Sequence, residues 1–392
     1  MRQAVIIDAV RTPMGRGKAG GALSGVHPAD LLAQTFKTLV KRTDLDPGSV
    51  DDVMVGCVTQ IGEQSGVPGR MAWLAAGYPD YVPAITLDRR CGSAQQAADF
   101  AAQSIMAGAN DIVIAGGVES MSRVQAGSNR AGKDPFGQGV AERYKPGLVH
   151  QGVSAELIAQ RWGFSRADLD AYAARSHHRA AQAQAEGWFE HEIATVRTET
   201  AVVCEDETIR PSTTIEGLGA LAPSFASPEM SERFPEIAWS VTAGNSSQIT
   251  DGASAMLIMS EERARELNLK PRARFVSFAV RGDDPLLMLT APIPATRLAL
   301  KRAGLSIGDI DHFEVNEAFA SVPLAWLKET GADPEKTNPC GGAISLGHPL
   351  GATGGRLMAT MLNALERSGG RYGLQTMCEA AGMANATIIE RL

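Results

Sequence analysis

The sequence predicts an α/β protein of two similar halves with an inserted segment between them. Short apolar strands alternate with helical stretches, and a strand–turn–helix–strand order near the start returns near the end. A content of 41 glycines with only 5% aromatic residues suits tight turns. The first unit spans 51–117. Residues 53–57 form a short apolar strand, 83–87 a second, and Cys91 follows it. Residues 93–107 have helical composition, Gly108 stops that helix, and 111–115 is a buried-strand run ending at Gly116-Gly117.

The second unit, 309–382, repeats the order. Residues 312–315 are a strand leading into Asn316, and His348 precedes a helix over about 352–367. Gly369-Gly370 stops it, and 372–377 runs as a strand into Cys378. Asp51 stands 40 residues before Cys91, and Asp311 stands 37 before His348. Helices at 31–42 and 295–303 enter the two halves. This is the pattern of a duplicated β/α unit, not of a short-period solenoid. Between the halves, 122–239 mix an Ala-rich helix (165–186) with irregular stretches such as 208–235. That length exceeds a plain loop and implies a subdomain suited to substrate contacts. The expected division is 1–121 for the N-terminal half and 122–240 for the inserted loop domain. Residues 241–270 are a return segment with a strand at 255–259, and 271–392 form the C-terminal half.

Bulk properties exclude several classes. A formal net charge of -7 argues against a broad nucleic-acid-binding face. The five cysteines (Cys57, Cys91, Cys204, Cys340, Cys378) are odd in number and form no C-x-x-C pair, so reduced thiols in a cytoplasm are expected rather than a disulfide scaffold. Residues 1–8 read as a strand rather than a signal peptide, and no apolar run is long enough for a membrane span. Gly15-Arg16-Gly17-Lys18 lacks P-loop spacing. His177 and His178 are adjacent on a helix and cannot share a face, so no metal pair is expected there. His191 and His312 read as surface or structural residues.

Three residues carry candidate chemistry. Cys91, in Arg90-Cys91-Gly92-Ser93-Ala94, sits where a strand ends and a helix begins. The helix dipole there favours a thiolate, and small neighbours allow a ligand close to the sulfur. A buried packing cysteine is the alternative. His348, in Gly347-His348-Pro349-Leu350-Gly351, is presented from a constrained turn, either as a base or as a helix cap. Cys378, followed by Ala380-Ala381-Gly382, mirrors Cys91 at a strand end; alone it reads as a packing residue rather than a catalytic one. Two such thiols with a histidine point to carbon–carbon bond chemistry on thioesters.

Along its whole length the chain resembles the thiolases. The resemblance rests on Val10-Arg11-Thr12-Pro13, Cys91-Gly92-Ser93, Gly116-Gly117-Val118-Glu119-Ser120-Met121-Ser122, Thr242-Ala243-Gly244-Asn245-Ser246-Ser247, Asn316-Glu317-Ala318-Phe319-Ala320, the run from Gly341 to Gly351, and Cys378. It implies a thiolase fold: two duplicated β/α halves in a five-layered α/β/α/β/α core, with an inserted loop domain. It implies CoA-dependent cleavage of 3-ketoacyl-CoA and the reverse condensation, with acyl-CoA and CoA as substrates and no separate cofactor or metal. Cys91 then takes the acyl group, His348 activates it, Cys378 is the acid/base, and Asn316 orients a water in one oxyanion hole. The backbone N–H groups of Cys91 and Ala380 form a second hole. His150, Ser247, Met288 and Phe319 line the pantetheine and acyl channel.

The resemblance also implies a homodimer or homotetramer, and small residues over 116–128 suit close approach between subunits. Ala94, Ala380 and Ala381 stand where many relatives have Gly, which narrows the cavity or demands a backbone angle Gly takes more easily. The stretch Ala220-Leu221-Ala222-Pro223 lacks a basic residue some relatives use near the CoA phosphate. Gly56-Cys57-Val58-Thr59-Gln60, Gly62-Glu63-Gln64 and Gln95-Gln96 are similar to bacterial thiolases acting on sterol-derived thioesters. A ketoacyl-synthase-type condensing enzyme and a non-catalytic acyl-CoA carrier are the rival readings. The first is expected to lack a second catalytic Cys, and the second has no need of Cys91, His348 and Cys378 together.

Overall fold

The computed structural model describes residues 2–392, so Met1 of the expected first strand lies outside the described residues. The first half contributes β1 (Ala4–Arg11), β2 (Asp52–Gly56), β3 (Ala84–Leu87), β4 (Ile112–Ser120) and β5 (Thr250–Ser260), in the spatial order β3-β2-β4-β5-β1. The second contributes β6 (Ala273–Gly282), β7 (His312–Val315), β8 (Tyr372–Glu379) and β9 (Met383–Arg391), in the order β6-β9-β8-β7. Strands β6 and β9 go beyond the sequence expectation, and β5 is longer than the expected 255–259. The two halves join where β1 pairs β6 through Val5↔Arg274 and Ile6↔Ala273.

Helices cover both faces of both halves, which is why β1, β4 and β5 are buried along their full length. Helices α1 (Pro28–Thr43) and α2 (Pro68–Ala75) pack Leu31, Phe36, Leu39 and Trp73 on the outer face of the first half. On the outer face of the second half lie α6 (Pro292–Ala303) and α7 (Ser321–Thr330), with Trp326 against Phe313. Helices α3 (Ser93–Met106) and α8 (Thr353–Ser368) lie between the halves in one core with residues of both. Buried Ala94, Ala97, Ala98, Ala101 and Ala102 keep α3 slim, and Gly354 of α8 lets the two helices approach: a methyl there would stand 2.4 Å from Gln95 N. The result is helix, sheet, helix, sheet, helix.

The duplication is visible in atoms. Asp51 Oδ2 accepts from the backbone N–H groups of Asp111 and Ile112 at 2.7 and 2.8 Å. Asp311 Oδ2 accepts from Arg371 and Tyr372 at 2.7 and 3.2 Å. Each residue of the second set follows its counterpart by 260 positions.

The small residues at 116–128 act differently from expectation at their start. Gly116 and Gly117 are buried inside the chain, where methyls would stand 2.1 Å from Ser254 O and 2.0 Å from Gly351 O. They serve contact within the chain, not between subunits.

The segment between the halves carries α4 (Gln151–Trp162) and α5 (Arg166–Ala185), the latter capped by Ser165 with Asp168 in a reciprocal box. It is tied to the core by buried charge. Arg11 bonds Glu192 at 2.7 Å and Asp206 at 2.6 and 2.9 Å. Glu317 accepts from Tyr172, Ser176, Asn338 and the Ile344 N–H. Asp206 and Glu317 accept at both oxygens, and Glu192 accepts through Oε1 from Arg11 and Thr360, so their burial is tolerable.

Candidate active site

Cys91 stands on the turn from β3 to α3. Asp88 Oδ1 accepts from Arg90 N at 2.7 Å, and Ser93 Oγ accepts from Arg89 N at 2.9 Å while donating to Arg90 O at 2.6 Å. Arg90 is held at φ +49°, an unfavourable angle for a residue with a side chain. The elbow therefore sets where the thiol points. The expected dipole-stabilised thiolate does not follow: Cys91 precedes the Gly92 cap and is buried. Burial pushes its thiol well above the ordinary range, with Cys378 and Glu379 adding to the effect. Such a thiol is neutral at rest and needs a base.

His348 lies on the equivalent turn before α8. Gly347 precedes it at φ +92°, and a methyl there would stand 2.3 Å from Thr250 Oγ1, so only glycine fits. His348 N donates to Gln248 O at 3.1 Å and to Thr250 Oγ1 at 3.0 Å, which fixes the backbone. Its Nδ1 lies 2.7 Å from Thr353 Oγ1, and that hydroxyl donates its one proton to Pro349 O at 2.8 Å. Nδ1 must then carry the ring proton, leaving Nε2 as a free acceptor. Among the described residues Nε2 has no partner. Burial, helped by the Arg356 charge, lowers the imidazole to about 3, so it rests neutral and able to accept.

The two turns lie side by side. A methyl on Gly56 would stand 2.6 Å from Ala94 N and 2.7 Å from Gly351 O, and Cys91 packs in one cluster with Leu350, Leu357 and Met377. Cys378, at the end of β8, is close enough to Cys91 to influence its ionisation. Asn316 Nδ2 lies 3.7 Å from Cys378 Sγ, and burial pushes this thiol up to about 11. Ala380 follows half-buried; Ala381 takes φ +73°, the angle for which glycine is better suited.

The remaining expected residues form one wall. His150 Nδ1 caps α4 by accepting from Gly152 N at 3.1 Å, and its ring stacks on Phe225 at 5.3 Å. Phe225 meets Phe319 edge-on at 5.9 Å. Phe319, Met288 and Cys378 share an apolar cluster, and Ser247 N bonds Ala318 O at 2.9 Å beside it. Sequence reasoning missed Phe225, whose surroundings are irregular chain, and Thr353, whose position five residues after His348 was the available signal.

The glutamines read as similar to sterol-acting thiolases lie elsewhere. Gln95 bonds Thr387 and Gln375 in the central layer, and Gln64 bonds Glu119 and Thr59. They hold the core together, away from the cluster of His150, Phe225 and Phe319. Among the described residues there is no group of three or more His, Cys, Asp or Glu able to hold a metal, and no helix long and apolar enough to cross a membrane.

Comparison with known proteins gives the same outline. Residues 4–262 match the thiolase N-terminal domain, and 269–391 match the thiolase C-terminal domain. The chain is 50% identical over 400 residues to a steroid 3-ketoacyl-CoA thiolase of Mycobacterium tuberculosis, covering all of this chain and 95% of that protein. It is 45% identical over 401 residues to a 3-ketoacyl-CoA thiolase of Citrobacter koseri, with full coverage of both. A crystal structure of the acetyl-CoA acetyltransferase of Bacillus anthracis superposes with a TM-score of 0.88 at 36% identity, covering 100% of this chain and 99% of that one. Motifs, fold and relatives agree, and the chain belongs to the thiolase family of acyltransferases.

Proposed function

We propose that the protein cleaves 3-ketoacyl-CoA with CoA, and runs the reverse condensation, through an acyl group carried on Cys91. His348 Nε2 takes the Cys91 proton, and the thiolate attacks the 3-keto carbonyl. The Cα–Cβ bond then breaks. Its electron pair leaves as the acetyl-CoA enolate, which takes a proton from the Cys378 thiol. A second CoA gives its thiol proton to the Cys378 thiolate and attacks the acyl-Cys91 carbonyl. The shortened acyl-CoA departs, and the Cys91 sulfur regains its proton from His348. Negative oxygen is stabilised by the N–H groups of Cys91 and Ala380 in one hole, and by an Asn316-oriented water with His348 in the other. His150, Ser247, Met288 and Phe319 line the channel for pantetheine and acyl chain.

The observation that carries this reading is the pairing of two buried neutral thiols with an imidazole whose free nitrogen is Nε2. A thiol base at about 11 suits proton exchange with a carbon acid better than an ordinary carboxylate does. The test is mass spectrometry after incubation with acyl-CoA, alongside the Cys91→Ser variant. One acyl mass on the Cys91 peptide and loss of turnover in the variant are expected; an acyl group on Cys378 or Cys57 overturns the assignment. CoA-dependent loss of acetoacetyl-CoA separates this reading from a malonyl-dependent synthase and from a carrier without turnover.

The protein is also proposed to work as a homodimer or as a homotetramer made of two dimers. Strand β3 is an edge strand with Ile85 51% exposed, flanked by exposed Met71 and Tyr81, and such an edge invites pairing with a second copy. Sedimentation as a monomer at micromolar concentration rules this out. Five free cysteines suit a reducing cytoplasm.

A further inference from the structure

We propose that Glu379 is a positioning residue for the nucleophile: its uncharged carboxylic acid fills the space behind the Cys91–Gly92 turn, and its ionisation suppresses formation of the Cys91 thiolate. The inference rests on Cys91 being the acylated thiol. Glu379 is next to Cys378 in sequence, but on a strand its side chain points to the opposite face, toward the start of α3. There its Oε1 lies against Gly92, where an added methyl would stand 2.1 Å away. Asn385 Nδ2, which a methyl at Gly92 would also approach, donates to Gly92 O at 3.1 Å. The turn that carries the nucleophile is thus seated on Glu379 and Asn385.

A satisfied anion is not what the site accommodates. Glu379 is fully buried, and neither of its carboxyl oxygens has a hydrogen-bond partner among the described residues; the nearby Asn385 N–H helps only modestly. The charged and titratable groups around it come from three elements. The turn supplies Asp88, Arg89, Arg90 and Cys91; α3 supplies Asp99; β8 supplies Cys378. From β9, Asn385 and Thr387 are neutral, and Thr387 donates to Asp99 Oδ1 at 2.7 Å. Arg89 pulls toward ionisation, whereas burial, Asp99 and Asp88 push against it. The balance raises Glu379 to about 9, and burial raises Asp99 to about 8.

The equivalent residue of the first half shows a buried carboxyl in this position with its hydrogen-bond donors in place, which offset part of the upward push of burial. Glu119, 260 positions earlier, accepts from Val58 N, Thr59 N, Gln64 Nε2 and Gly351 N at 2.9–3.0 Å. Glu379 has none of these donors. A negative charge placed there opposes a second one forming on Cys91 sulfur, so the reaction needs Glu379 protonated when the thiol ionises.

The test is the rate of Cys91 alkylation by iodoacetamide between pH 6 and 10, read from the mass of the Cys91 peptide in the intact protein. In the wild type the rate flattens as Glu379 ionises. Glu379→Gln, which cannot ionise, keeps climbing, so the ratio of variant to wild type grows about tenfold across the range. A ratio that stays constant with pH overturns the proposal, because a merely structural role moves the rate equally at every pH. If Glu379→Gln does not fold, Asp99→Asn serves. It removes a charge that disfavours Glu379 ionisation, so the flattening moves to lower pH, and an unmoved profile overturns the proposal. Acyl mass appearing on a residue other than Cys91 instead brings down the nucleophile assignment itself.

Discussion

The Cys91 half and the His348 half are built to one plan, yet one turn presents a thiol and the other an imidazole. Ser93 and Thr353 occupy matching places at the starts of α3 and α8, and each returns its hydroxyl proton to the carbonyl of the turn before it. In the first half the Ser93 oxygen then accepts a backbone N–H, from Arg89. In the second the Thr353 oxygen accepts the imidazole N–H and thereby fixes the tautomer of His348. Glu119 and Glu379 diverge in the same way: one is a staple with four donors, the other a carboxyl without a partner behind the nucleophile. Duplication supplies the scaffold twice, and local donors decide which copy of a residue is structural.

The widest expected separation between the halves comes from Cys378→Ala. Cleavage expels a strongly basic enolate that needs a placed proton, whereas acylation of Cys91 by ordinary acyl-CoA expels only a thiolate. The variant is expected to lose the carbon–carbon step by about 10²–10⁴-fold while exchanging acyl groups with CoA at a much less reduced rate. Equal loss of both reactions in a folded variant means that Cys378 is structural.

The two hydroxyls offer the next contrast. Thr353→Val removes the acceptor that holds His348 Nδ1–H, so kcat/KM is expected to fall by about 10–100-fold. Ser93→Ala loses only turn bonds and is expected to cost about 1 kcal/mol of stability. Steady-state kinetics and thermal melts of the pair check this; similar kinetic losses in both erase the proposed difference in role.

Stability separates the two carboxyls. Glu119→Gln replaces an acceptor of four donors with an amide and is expected to destabilise by about 2–3 kcal/mol at neutral pH. Glu379 behaves oppositely. The folded protein keeps its proton up to about 9, while the unfolded chain releases it from about 4, so wild-type stability falls as pH rises through that window. Glu379→Gln has no proton to release, and its melting temperature gains on the wild type as pH increases. Melts at pH 5 and pH 9 with the same difference contradict this.

The smallest effect is expected at Ala381, exposed and held at φ +73°. Glycine takes that angle without its Cβ penalty, so Ala381→Gly is expected to gain up to about 1 kcal/mol. A loss in denaturant titration means that the methyl makes a contact outweighing the strain.

Much of this was legible in the sequence. The repeat of strand, turn, helix and strand appears in apolar runs and glycine stops, because burial on both faces demands continuous apolar strands and a short turn demands glycine. Strands β6 and β9 were less legible, since Arg274, Ser277, Arg281, Asn385 and Thr387 interrupt their apolar character. Cys91, His348, Asn316 and Cys378 stood out because unusual residues sat in small-residue turns. The helix position of Cys91 suggested a lowered thiol, and burial reversed that.

By itself the sequence determined the α/β duplication, the family, and the residue types able to form and carry an acyl thioester. These are local or periodic properties, written in consecutive residues. Only the tertiary structure decided that Thr353 holds the His348 tautomer, that Phe225 links His150 to Phe319, and that Gln64 and Gln95 belong to the core. It alone left Glu379 without donors where Glu119 has four. Each of these depends on which distant atoms meet across the sheets and the central helices. Hydrogen-bond partners and burial, which set protonation, come from that meeting and from no single stretch of chain.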